Sequence, residues 1–381
     1  MIESSLPLRG VRVLMLDSSL VRSGAENLRL YGCRGLRAAG AELHELVLGE
    51  PGDIAEQLEQ EGLATVHRAG TGDSVTSVKP ALAIRALVKS IQPQVVLASR
   101  VNCAAHAVAA LRGRWRLSLP RLVVEVMSTD DWMRLPHKVL WAAALHSAHL
   151  VTACSRTVGE RLRSDYRVPE ARIETVTVGT DIHGLARPPR AEARLKLGIT
   201  DDRPVVGSVG TLRAPKRYDK LLRAMQALER RTSLSPWIVL SGHGPERERL
   251  AELGASLGLS SRLKFAERSP NVGVQYAALD VFVLSSDFEG FPLVIPEAMS
   301  MRVPIVATSV SGVPDVIHHG ENGLLVGKDD IEAMERAIEV CLQGGPEVER
   351  RLQRAAEDAE AHYTSERYGE RMVAAVLRAL R

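Results

Sequence analysis

VFVLSSDFEGFPLVIPEAMS, Val281–Ser300, holds the pattern that decides the fold. Val281–Leu284 is a short apolar run with the length and β-branching of a buried strand, and a loop with a glycine and acidic residues follows it. Pro296 then limits where the next helix begins. Its ring lacks an N–H and clashes with the preceding turn, so it must lie in the first helical turn. The spacing predicts a helix from near Leu293, with Glu297 close to its positive end. Free backbone N–H groups there, at Phe291 to Val294, suit a phosphate. Glu289 on the loop and Glu297 eight positions on can accept hydrogen bonds from hydroxyl groups, which sugar and ribose carry in number. A capping carboxylate plus a salt-bridged helix residue explains the same spacing about equally well.

Outward from this segment, the unit of strand, loop and helix repeats in both directions. Val11–Leu16 leads through SSLVRSGAE into an amphipathic stretch, Asn27–Ala39. Val95–Ala98, Leu122–Val126, Leu150–Ala153 and Ile173–Val176 read as further strands. Ala186–Arg194, ARPPRAEAR, interrupts the pattern, which restarts with strands at Pro204–Val209, Trp237–Leu240, Arg262–Phe265 and Val303–Ala307 and a helix at Tyr218–Arg230. Glu347–Arg381 is helical in composition. Short apolar strands alternating with helices indicate βαβ units and parallel sheets. The expected organisation is an α/β chain of two Rossmann-like domains, residues 1–185 and 201–360, joined by a linker at 186–200. A C-terminal helix within 361–381 is expected to cross back to the first domain. Ligands in such sheets bind beyond the carboxyl ends of the strands, which here would face an interdomain cleft.

Length and composition agree with this reading. The 381 residues suit two domains, and 45% hydrophobic with 25% charged residues is ordinary for a globular chain. The start, Met1–Gly10, lacks a signal-peptide pattern, and no run approaches the roughly 18 apolar residues of a spanning helix. Cys33, Cys103, Cys154 and Cys341 are far apart and read as reduced thiols. A cytoplasmic location is the expectation, with the inner face of the cell membrane open. Net charge is +3. Between Arg100 and Arg121 five arginines stand without a carboxylate, with Trp115 among them. That patch suits an acidic lipid surface or an anionic acceptor, and a solvated loop explains it as well. No nucleic-acid-reading motif accompanies the charge.

Other loops after strands carry chemistry-bearing residues. GTLRAPK, Gly210–Lys216, offers Arg213 and Lys216 to neutralise a diphosphate, the first as a planar fork and the second as a point charge. In SGHGPER, Ser241–Arg247, Gly242 permits close backbone approach to a ligand. SGAE, Ser23–Glu26, places Gly24 after the first strand. Adjacent pairs such as Asp130–Asp131 and His318–His319 are not spaced ligand sets, so no metal site and no cofactor is expected.

Ser285–Val326, with EAMSMRVPIVAT and NGLLV, resembles the E-x7-E region of family-4-type retaining glycosyltransferases of the GT-B fold. VVGSVGTLRAPKRYDKLLRAM, SGHGPERERL and LKFAERSPNVGVQYAALDVFVLSS follow the family's order, so the resemblance covers nearly all of 204–326. It implies that Glu297 binds the donor ribose and that Glu289 contacts sugar hydroxyls near the reacting carbon. Gly24, Gly210, Gly242, Gly290, Phe291, Leu293 and Val294 would line the donor, and Arg268 falls where the family holds the base. The chain departs from the family at two places. Met127 stands where many members have a histidine, leaving Ser128, Thr129 or Asp130 to supply a polar acceptor-side contact. Val178–Gly179 replaces an asparagine–glycine pair.

The function expected from the resemblance is metal-independent, retaining transfer of a sugar from a nucleoside-diphosphate donor to a hydroxyl. The acceptor would be a glycan, a glycolipid or a small molecule, in glycoconjugate or polysaccharide biosynthesis. Two rivals share the fold: a nucleotide-sugar epimerase or phosphorylase, and a catalytically silent nucleotide-sugar-binding protein.

Overall fold

The computed structural model describes residues 6–22, 24–112, 119–128, 135–267 and 271–381. Thr129, Asp130, Arg268 and the Trp115 region of the basic patch lie outside them. The chain divides into two units, residues 1–180 with 365–381, and residues 181–364.

The first unit is built on seven parallel strands: β1 Arg12–Asp17, β2 Glu42–Val47, β3 Thr65–Arg68, β4 Val95–Ser99, β5 Arg121–Val126, β6 Leu150–Ala153 and β7 Ile173–Thr175. Their spatial order is β3-β2-β1-β4-β5-β6-β7. The second unit has six: β8 Val205–Val209, β9 Trp237–Ser241, β10 Leu263–Ala266, β11 Val281–Leu284, β12 Ile305–Thr308 and β13 Leu324–Val326, ordered β10-β9-β8-β11-β12-β13. Every strand pair is parallel. Each order reverses once, between β1 and β4 and between β8 and β11, and ligands of open α/β sheets settle at such reversals.

Strands covered on both faces need apolar residues at successive positions rather than at alternate ones. The second unit shows why. Val205, Val209, Phe282 and Leu284 pack with Ile295 and Met299 of helix Val294–Ser300 on one face. Val206, Val281 and Val283 pack on the other with Leu221 and Met225 of helix Tyr218–Thr232 and with Ile338 of helix Ile331–Gln343. The stretch expected as a linker carries a helix of its own, Arg190–Lys196, inside the second unit. Arg194 anchors it by pairing with Asp280 at 2.5 Å.

The last helix, Ser365–Leu380, belongs to the first unit and packs on helix Gly24–Ala38. Two glycines allow the approach. A Cβ on Gly35 would stand 2.4 Å from the Gly369 Cα, so no side chain fits at that crossing.

Candidate functional site

The loops after β8, β9 and β10 are stitched side by side by their backbones. Gly210 N–H donates to Ser241 O at 2.9 Å, Leu212 N–H to His243 O at 2.8 Å, and Gly242 N–H to Ala266 O at 2.8 Å. Gly242 takes φ +150°, and a Cβ there would meet Gly210 O at 1.8 Å. Glycine at 242 is therefore a steric requirement of the loop pair.

Past Gly210 the chain exposes Arg213, whose guanidinium has no partner among the described residues, and closes a 3-10 turn at Ala214–Lys216. Lys216 Nζ donates to Glu289 Oε1 at 2.6 Å, and Ser286 Oγ donates to the same oxygen at 2.6 Å. Two further bonds hold the β8 and β11 loops together: Ser285 Oγ to Lys216 O at 2.9 Å and Asp287 N–H to Pro215 O at 2.8 Å. The contact joins residues 73 positions apart, at the reversal of strand order. Glu289 Oε2 has no partner among the described residues.

Helix Val294–Ser300 begins one residue after the expected start, with Leu293 as its cap. The N–H groups of Gly290, Phe291, Leu293 and Val294 donate to no protein acceptor among the described residues. Such a run of free donors can hold an anion. The Phe291 ring lies tilted against Tyr363, centroids 5.6 Å apart at 58°, so its side chain packs against the core. Glu297 does not share in the Lys216 contact. Its Oε2 lies 2.8 Å from the hydroxyl of buried Tyr276, which is also 3.2 Å from Val294 O. The two glutamates thus have different neighbours: Glu289 a cation and a hydroxyl, Glu297 a phenol.

Sequence reasoning missed the brace behind this loop. Arg217, at φ +48°, pairs with Asp219 and with Asp287 at 3.0 Å. Buried Lys220 donates to Asp287 Oδ1 at 2.8 Å, to Lys328 O at 2.7 Å and to Asp329 at 2.9 Å. Partial burial pushes the Asp287 carboxyl up, but the hydrogen bonds from Lys220 and Arg217 outweigh it and hold the group below its usual range. Nothing in the sequence around Lys220, YDKLL, marks the acceptors it meets near Asp287 and Lys328.

Gly24 and Ser128 belong to the first unit. Gly24 opens helix Gly24–Ala38. Ser128 lines a cavity of about 470 Å³ at the carboxyl ends of β1 and β4, together with Met127, the residue found where a histidine was expected. Asp17, Arg29, Ser99 and Glu125 form its buried floor, and Trp141 and Tyr368 also line it. Arg29 donates through Nε to Asp17 at 2.7 Å and through Nη2 to Ser99 at 2.7 Å and Glu125 at 3.1 Å. Fully buried Glu45 lies 3.4 Å from the same guanidinium. Burial drives the Glu45 carboxyl far upward and Asp17 upward too, against the pull of Arg29. Arg100, read from sequence as part of a surface patch, instead pairs with Glu26 and lines this cavity. Its neighbour in space supplies the carboxylate that its neighbours in sequence lack.

Among the described residues, no cluster of three or more His, Cys, Asp or Glu has the arrangement of a metal site, and no helix is long and apolar enough to cross a membrane.

Two family models match the chain: Glycosyltransferase Family 4 over residues 22–183 and Glycosyl transferases group 1 over residues 189–359. A lipopolysaccharide core biosynthesis glycosyltransferase of Rhizobium meliloti is 37% identical over 146 residues, covering 38% of this chain and 42% of that protein. A D-inositol 3-phosphate glycosyltransferase of Kribbella flavida is 34% identical over 218 residues, 54% and 51% of the respective chains. The chain spans about half the length of the curated relatives it matches. Anabaena HepE, solved in complex with UDP, superposes with a TM-score of 0.81 at 20% identity, covering 96% of this chain and 99% of that one.

Proposed function

Since this chain belongs to the family-4-type glycosyltransferases of the GT-B fold, we propose that it moves a sugar from a nucleoside diphosphate to an acceptor hydroxyl with retention of configuration. The observation that carries the reading is the contact of Lys216 with Glu289 at the β8/β11 reversal, beside the free N–H groups of Gly290 to Val294.

In this reading the donor diphosphate sits against those N–H groups, and Lys216 with Arg213 balances its charge. Glu289 has one oxygen held by Lys216 and Ser286, which orients Oε2 to accept from a sugar hydroxyl. Glu297, fixed by Tyr276, takes the ribose. Arg268 stays in the proposal as a base contact. The bond from the anomeric carbon to the leaving phosphate oxygen breaks, and a bond to the acceptor oxygen forms on the same face. The acceptor proton passes to the leaving phosphate, giving a nucleoside diphosphate and the glycosylated product. Catalysis rests on charge stabilisation by groups already in place, and the proposal uses no metal. A carboxylate so tightly paired is a poor nucleophile, which favours this route over a covalent intermediate.

The support for a nucleotide-sugar donor is the chemistry of the loop: a cation, an exposed arginine and N–H groups without a protein acceptor among the described residues suit an anion such as a diphosphate. Replacing Lys216 by Ala is expected to lower turnover at least about tenfold, the value of a single lost charge contact in the transition state, with melting temperature nearly unchanged. Wild-type turnover in that variant overturns the assignment.

A further inference from the structure

Among the described residues, the cavity of the first unit is lined by more carboxylates than cationic side chains. Its lining has four carboxylates, Asp17, Glu26, Asp73 and Glu125, against two arginines and His137. Both arginines are committed: Arg29 to Asp17, Glu125 and Glu45, and Arg100 to Glu26. Glu125 is only 2% exposed, yet only its Oε2 is engaged, by Ser99 at 2.6 Å and Arg29 at 3.1 Å. Its Oε1 has no donor among the described residues. Asp73 likewise uses Oδ2, with Asn102 at 3.2 Å, and leaves Oδ1 without one.

Carboxylate oxygens at a cavity wall with no protein donor among the described residues are open acceptors for a ligand that enters. An entering phosphate or carboxylate brings acceptors and a like charge, so it worsens the imbalance. Hydroxyl and ammonium groups bring donors, and an ammonium also brings a positive charge that the lining carboxylates attract. The size of the cavity, about 470 Å³, and the aromatic side chains of Trp141 and Tyr368 suit a small ring with one apolar face.

We propose that this cavity binds the acceptor, and that the acceptor is a hydroxyl-rich ring bearing an ammonium group, an amino sugar or aminocyclitol, with the ammonium on Glu125 Oε1 and Asp73. Calling the ligand an acceptor rests on the transferase reading above; its binding does not.

The test is ligand-observed magnetic resonance titration of the full chain with three probes: glucosamine, N-acetylglucosamine and glucose 6-phosphate. Glucosamine is expected to bind about tenfold more tightly than its N-acetyl form, as for one charge-assisted hydrogen bond, and the phosphate most weakly. Glu125→Gln keeps the shape and removes the charge, so it should erase the preference for the amine. Should that buried change unfold the unit, Asp73→Asn reads the same loss at a more accessible position. Equal or absent binding of glucosamine, tighter binding of glucose 6-phosphate, or a preference that survives both substitutions overturns the proposal. A parallel melting shift with UDP and GDP keeps the two readings apart. If neither nucleotide raises the melting temperature, the donor reading fails whatever the amine does. If one does while the amine preference is missing, only the acceptor class is wrong.

Discussion

Lys220→Met removes the cation that ties β11 to the helix behind it, and the structure fixes how large the effect should be. The Lys220 side chain is 4% exposed and its ammonium makes three contacts: Asp287 at 2.8 Å, Lys328 O at 2.7 Å and Asp329 at 2.9 Å. Asp329 is 76% exposed, so water replaces that contact at little cost. The other two acceptors are partly buried, and a hydrogen bond involving a charged group contributes about 1.5–3 kcal/mol. Asp287 keeps Arg217 at 3.0 Å, which spares it the full penalty of an orphaned buried charge. Methionine returns some apolar burial. The net loss should be about 2–3 kcal/mol. Hydrogen exchange of peptides spanning β11 and helix Tyr218–Thr232 should then speed up about 30- to 160-fold at neutral pH, with the first unit unaffected. The pH dependence has a definite sign. Asp287 has a depressed folded pKa, so its contribution is present above the unfolded value near 4 and is lost as pH falls through the folded one. The gap between variant and wild type should therefore narrow in acid. A change below about threefold, or one of equal size in both units, refutes the bracing role.

Gly242→Ala drives a Cβ to 1.8 Å from Gly210 O, so the loops must part by more than 1 Å; about 3 kcal/mol of stability should go, and calorimetric affinity for a nucleoside diphosphate should drop at least about tenfold. Arg29→Met leaves Asp17, Glu45 and Glu125 facing one another without a counter-charge. The Asp17 and Glu45 carboxyls, already raised by burial, then stand further above their unfolded values, so the stability deficit should grow from pH 4 to pH 8, as read by urea melts across that range, and a pH-independent deficit contradicts the assignment.

Much of this was legible in the sequence, for a physical reason. Strands buried on both faces announce themselves as unbroken apolar runs, and Val281–Leu284 and Leu150–Ala153 were read to the residue. Glu42–Val47, ELHELV, was missed because Glu45 interrupts the run; it is tolerated only because Arg29 lies against it. Thr65–Arg68 and Leu324–Val326, short strands near sheet edges, carried too few apolar residues to stand out. Lys216 and Glu289 were singled out by their loops, and the fold brings them into contact. Tyr276 and Lys220 were not, because a tyrosine and a lysine in helical stretches have no local mark of what they will meet across the fold. The Arg29 cluster escaped for the same reason, its carboxylates coming from three separate strands.

In the proposed site an anionic donor is held where the β8 and β11 loops meet. Hydrogen exchange in the presence of UDP or GDP tests it most directly. At least one of them should slow exchange in peptides covering 210–216 and 289–294, and Lys216→Met should abolish the protection. Protection confined to the first sheet, or none with either nucleotide, would contradict it.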